Sequence, residues 1–190
     1  MKRIIVGISG ASGAIYGIRM MEALKGRAES HLVISMAARR TISMETSYEV
    51  PQIESMAVTV HDFNNLAAPI SSGSFRTDGM VIVPCSMKSL SAVANSYGEN
   101  LMARAADVTL KERRRLVLVV RETPLHIGHL RLMVRASEMG AIIFPPLPTF
   151  YNRPETLEEV LDHTIGRILD LFEIEHTLFK RWGEGKGSGK

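Results

Sequence analysis

Two segments of this sequence place small and hydroxyl residues where a phosphate-binding turn needs them. In the first, the apolar run Ile4-Ile5-Val6-Gly7-Ile8 breaks into Ser9-Gly10-Ala11-Ser12-Gly13-Ala14. A buried strand that yields to small residues and then to a helix leaves unpaired backbone N–H groups at the helix start. Those donors, with the positive end of the helix dipole, attract a phosphate, and small side chains let it come close. In the second segment, Pro84-Cys85-Ser86-Met87-Lys88-Ser89 follows another apolar run. Ser86 is a natural N-cap there; together with Ser89 and nearby N–H groups it could equally hold a phosphate or the polar edge of a ring. Two such helix starts on neighbouring strands would point into one crevice.

Other residue types narrow the chemistry. The spacing Gly7-x-x-Gly10-x-x-Gly13 also fits a dinucleotide turn, but the second strand runs into Ser35-Met36-Ala37 without the carboxylate that a ribose diol wants. Arg39 and Arg40 suit a 2′-phosphate instead. Nicotinamide cofactors and a purely structural turn therefore stand beside the favoured reading, flavin mononucleotide or a related phosphate. Arg121-Glu122-Thr123-Pro124 puts a charged pair at the end of a buried strand, where catalytic groups collect, with a structural ion pair as the alternative. Tyr151 offers a phenol before the last helix. His126-Ile127-Gly128-His129 has metal-pair spacing without a third ligand nearby, so a helix-entry role is favoured. No adjacent Asp pair suggests a Mg²⁺–diphosphate clamp, which leaves Lys, Arg, Tyr and backbone donors to handle phosphate. Cys85, beside a proline at a strand end, reads as a packing thiol.

The elements that must position these groups follow from the apolar pattern. Short continuous apolar runs predict strands at 3–9, 31–35, 79–84, 116–120 and 141–145, and runs of that kind suit a parallel sheet covered on both faces. Helices are expected at 14–24, 36–45, 86–95, 101–114 and 130–139. A longer one has Pro154 near its start and repeats Leu157, Val160, Leu161, Thr164, Ile168, Leu169 and Phe172 at helical spacing. The reading is a single-domain α/β fold, a doubly wound parallel sheet of Rossmann or flavodoxin-like type. Ligands in that architecture sit beyond the carboxyl ends of the strands. The polar stretch 62–77 is expected to be a long functional loop.

Composition bounds the rest. The chain has 190 residues, one cysteine and a formal charge of +3. One domain over 1–182 with a flexible tail at 183–190 is expected, in a reducing, cytoplasmic setting. The basic excess lies in Lys111-Glu112-Arg113-Arg114-Arg115 and in the tail, with no interleaved aromatics, so nucleic acid is not expected. No run is long enough to span a bilayer. The opening Met1-Lys2-Arg3 and its apolar run reach the glycine turn too soon for a signal peptide.

Taken together the residues resemble the UbiX family of flavin prenyltransferases, from Lys2 to about Trp182. The resemblance rests on Gly10-Ala11-Ser12-Gly13-Ala14, Ser71-Ser72-Gly73-Ser74, Pro84-Cys85-Ser86, Arg104-Ala105-Ala106-Asp107-Val108, Leu110-Lys111-Glu112-Arg113, Arg121-Glu122-Thr123-Pro124 and Phe150-Tyr151. Each is weak alone; their order and spacing are specific. The resemblance implies an enzyme that joins a dimethylallyl group from dimethylallyl phosphate to reduced FMN at N5 and C6, without metal. Prenylated FMN would then serve UbiD-type decarboxylases, including those of ubiquinone biosynthesis. It further implies a dodecamer with active sites at subunit contacts.

Carried over by motif, Gly10, Ala11, Ser12, Ser35, Ser86, Met87, Lys88, Ser89 and Arg121 would bind FMN. Gly73, Lys111, Arg121, Tyr151 and Arg167 would bind the prenyl phosphate, with Glu45, Glu122 and Ser12 catalytic. Leu66 stands where some relatives carry tryptophan, keeping an apolar wall but removing an aromatic face. A flavin-dependent cysteine decarboxylase is the nearest alternative enzyme. Its Asn-bearing loop is absent at Pro84-Cys85-Ser86-Met87-Lys88, and no His precedes His31. A non-catalytic flavin carrier would present the same binding residues.

Overall fold

The first apolar run forms the centre of the sheet. In the computed structural model, which describes residues 1–183, β1 (Lys2–Ile8) lies between β2 (Ala28–Ile34) and β4 (Gly79–Cys85). The short β3 (Thr59–His61) extends one edge; β5 (Arg115–Val120) and β6 (Ala141–Ile143) extend the other. All pairings are parallel, in the order β3-β2-β1-β4-β5-β6. The chain winds outward from β1 to β3, returns beside β1, and winds out to β6. The reversal lies between β1 and β4, where ligands of such sheets bind.

Strands covered on both faces cannot alternate polar and apolar residues, and Ile4, Val6, Ile8, Val81 and Val83 face one core while Ile5, Met80 and Ile82 face the other. The first core is closed by α1 (Ala14–Leu24), α2 (Met36–Glu45) and α7 (Leu157–Leu171). The second is closed by α4 (Met87–Ala94), α5 (Leu101–Lys111) and α6 (Ile127–Glu138). This is the single-domain, doubly wound α/β fold expected from the sequence.

Several boundaries differ for local reasons. The strand β3 and the helix α3 (Val50–Glu54) were not expected: three residues show no period, and α3 starts on a capping box made by Glu49 and Gln52. The α5 helix stops at Lys111 rather than Arg114, because Arg113 turns into the left-handed region at φ 57°. At α6 the helix begins earlier, with His126 Nδ1 accepting from the Gly128 N–H at 3.0 Å, the helix-entry role favoured from the sequence. The expected 62–77 loop holds a turn of 3₁₀ helix at Pro69–Ser71 and is stitched down by arginines, with Arg3 donating to Arg76 O. Arg104 donates to Ser71 O, and Arg114 donates to Gly73 O and Phe75 O. Residues 184–190 of the expected tail lie outside the described residues.

Candidate active site

The two small-residue strand exits meet. Ser9, at the end of β1, is buried; its Oγ accepts the Ser86 N–H at 2.8 Å and donates to Pro84 O at 2.8 Å. Beside this junction opens a cavity of about 370 Å³, within the range of small-molecule sites. Gly10, Ser35, Met36 and Ala37 form one wall and Ser86, Lys88 and Ser89 another. Ile82, Met102 and Phe63 supply apolar surface, and Asn100, the N-cap of α5, completes the rim. Gly10 is required for packing: a Cβ there would overlap the Ala37 side chain.

The starts of α2 and α4 face this cavity, as does that of α5 through Asn100 and Ala103. Ser35 Oγ accepts from Ala38 N–H at 3.1 Å, and Ser86 Oγ accepts from Ser89 N–H at 3.2 Å. Each cap satisfies one early N–H, and a helix leaves others without an intrahelical partner. An anion bound beside such a helix start would meet the positive end of its dipole. Lys88 stands exposed at the mouth, 3.9 Å from Glu99.

The start of α1 behaves differently from expectation. The Gly13 and Ala14 N–H groups, which the sequence offered to a phosphate, donate to Glu45 Oε2 at 2.8 and 3.1 Å. Gly13 makes this possible with φ 93°, a conformation suited to glycine. The protein's own carboxylate thus occupies that anion position. Partial burial pushes the Glu45 carboxyl up, but hydrogen bonds from Ser12, Gly13 and Ala14 and the charge of Arg121 outweigh it. Its pKa lies below the ordinary carboxylate value.

Around the cavity the expected residues fall into groups. Gly10, Ser35, Ser86, Lys88 and Ser89 line it; Ala11 is buried, and Met87 packs against the core under α4. Ser12, Glu45 and Arg121 form a second group, with the Arg121 N–H held by Cys85 O at 3.1 Å. Glu122 is exposed beside it and accepts from the Thr123 N–H at 3.0 Å. Tyr151 and Arg167 converge on His163: Tyr151 Oη lies 3.3 Å from His163 Nε2, and the Arg167 charge acts on the same ring. Trp182 meets Tyr151 edge-on at 5.3 Å.

Gly73 and Lys111 also come together, packed so closely with Glu112 that a Cβ on Gly73 would strike both side chains. They sit at the far end of α5 from Asn100, about 16 Å along the helix. One chain therefore does not carry Lys111 to its own cavity. Cys85 is fully buried and its thiol is pushed up to about 12 by burial, consistent with packing. Among the described residues no three His, Cys, Asp or Glu side chains are grouped to hold a metal, and no helix is long and apolar enough to cross a membrane.

Phe63, Ala37, Asn100 and Met102 were not singled out from the sequence. Asn100 alone carried a local signal, as an N-cap residue before a helical run. Apolar residues such as Met102 acquire a role only when the chain folds them under the cavity.

Known proteins share this fold. The Flavoprotein family matches residues 1–178. The flavin prenyltransferase UbiX of Thauera aromatica is 57% identical over 181 residues, covering 95% of this chain and 93% of that protein. A crystal structure of AnUbiX in complex with FMN and dimethylallyl pyrophosphate superposes with a TM-score of 0.95 at 48% identity, covering 97% of this chain and 99% of that one. A dodecameric FMN-dependent UbiX-like decarboxylase from Escherichia coli O157:H7 gives 0.92 at 47% identity, covering 95% and 98%.

Proposed function

The chain belongs to the UbiX family of flavin prenyltransferases, an FMN-binding transferase that prenylates FMN, and from that premise we propose its donor, bond positions and acting residues. The donor is dimethylallyl phosphate and the acceptor is reduced FMN. The allylic C–O bond breaks and phosphate departs; N5 bonds to the allylic carbon and loses its proton; the remaining alkene is protonated, and its tertiary carbon bonds to C6, which gives up its proton. The observation that carries this reading is the cavity into which α2 and α4 both direct their starts, edged by Ser35, Ser86 and Ser89. These hydroxyls and N–H groups suit a flavin's phosphoryl and carbonyl oxygens, and Ile82, Phe63 and Met102 suit its ring.

Electrostatic stabilisation of the departing phosphate falls to Arg121, Arg167 and Lys111, groups that need no reorganisation as charge develops. A monophosphate leaves readily only when protonated, so Glu122 or Tyr151 acts as general acid. Glu45, held ionised near neutrality by Ser12, Gly13, Ala14 and Arg121, or the retained phosphate takes the proton released at C6. Because Lys111 and Gly73 lie at the far end of α5, a neighbouring copy supplies them. The dodecamer of the E. coli O157:H7 relative supports such an assembly here. Prenylated FMN then passes to a UbiD-type decarboxylase.

Anaerobic incubation with reduced FMN and dimethylallyl phosphate, followed by mass spectrometry of the released flavin, tests this function. A flavin heavier by one isoprenyl unit is expected. Unmodified FMN from folded protein, with the diphosphate donor also tried, contradicts it and favours a carrier.

A further inference from the structure

We infer that His163 is a positioning residue for Tyr151, fixing the phenol so that its O–H is free to donate to the phosphate of the prenyl donor. The inference rests on the reading of Tyr151 as a phosphate-binding residue. His163 projects from α7 and is buried at 8% exposure. Its Nε2 lies 3.3 Å from Tyr151 Oη and its Nδ1 lies 3.1 Å from Thr149 Oγ1. Both ring nitrogens therefore engage the segment that leads into α7.

A neutral imidazole carries one N–H, and the choice of nitrogen decides what Tyr151 offers. Were Nε2 to accept from the phenol, that proton would be spent inside the protein. Only oxygen lone pairs would then face an anionic phosphate. The other tautomer has the useful sense. Thr149 donates its hydroxyl proton to Nδ1, Nε2–H donates to Tyr151 Oη, and the phenol proton is left for a phosphate oxygen. Thr149 allows this tautomer, because a hydroxyl can donate where a carbonyl could only accept.

The surroundings keep the ring neutral and still. Burial first, and then the charge of Arg167, lower the His163 pKa, with Asp170 opposing. Tyr151 meets the ring edge-on at 5.9 Å, and Phe179 packs on it at 4.5 Å. Phe179 is itself pressed against Gly166, where a Cβ would come within 2.6 Å of the phenyl ring.

The test is steady-state kcat and KM for dimethylallyl phosphate in wild type, Tyr151→Phe, His163→Leu, the double variant and His163→Gln. Each of Tyr151→Phe and His163→Leu should raise KM roughly tenfold, the scale of one hydrogen bond to a charged group. The double variant should be no worse than either single one, since both remove the same interaction. His163→Gln, whose amide N–H reaches the phenol, should recover most of the loss, with FMN affinity unchanged throughout. A wild-type KM in His163→Leu beside a raised KM in Tyr151→Phe overturns the inference and leaves Tyr151 in place. Additive losses in the double variant overturn it too. A wild-type KM in Tyr151→Phe removes the reading of Tyr151 itself, and the inference with it. Should His163→Leu also lose FMN, His163→Gln against His163→Asn, too short to reach the phenol, makes the same comparison.

Discussion

Ser9 and Ser86, 77 residues apart, share one hydrogen bond of 2.8 Å that ties the exit of β1 to the start of α4. The same Ser9 hydroxyl donates to Pro84 O, so a single buried oxygen sets the spacing of the two turns. Ser9→Ala leaves the Ser86 N–H without its acceptor. The expected cost is about 1–3 kcal/mol, with weaker FMN binding as α4 loses its anchor. Denaturant midpoints and FMN titration check both; an unchanged midpoint removes the stitch from the account.

Glu45 predicts a pH signature. Its folded pKa lies below its ordinary value of 4.5, so its stabilising effect is complete above that value. It is lost as pH falls through the lower, folded one. A carboxylate at the start of a helix contributes about 0.5 kcal/mol when solvent screens it. Glu45→Gln should therefore melt below wild type at neutral pH, and the gap should close in acid. A gap independent of pH would show that the charge does nothing at α1.

Among the described residues Glu122 accepts only from the neighbouring Thr123 N–H, which leaves its carboxyl untied to the rest of the fold. Glu122→Gln should keep stability and FMN affinity while slowing single-turnover prenylation by roughly 10²–10⁴-fold, the usual reach of a general acid. Undiminished single-turnover rates would remove it from the mechanism.

Cys85 should be inert. With its thiol buried and pushed up to about 12, negligible thiolate exists at neutral pH. Iodoacetamide should leave the native protein unlabelled and alkylate it once after denaturation, as read by intact mass. Labelling of native protein at neutral pH would contradict the burial.

The central strands were legible because strands buried on both faces read as unbroken apolar runs, as β1 and β4 do. The edge elements α3 and β3 were not, being too short to show a period. At the site, Ser86 was legible as a helix cap, since capping depends on residues close in sequence, whereas the Ser35 cap of α2 emerged from the fold. The occupant of the α1 start was not: Glu45 reaches Gly13 from 32 positions downstream, through packing that no local pattern encodes. The separation of Lys111 from the cavity was likewise invisible until α5 had a direction.

The most direct measurement is a crystal structure of this protein with FMN bound. The flavin is expected in the cavity between α2 and α4, with its phosphate within hydrogen-bond reach, roughly 3 Å, of donors at one of those helix starts. A flavin seated elsewhere, or with its phosphate displacing Glu45 from Gly13 and Ala14, would contradict it.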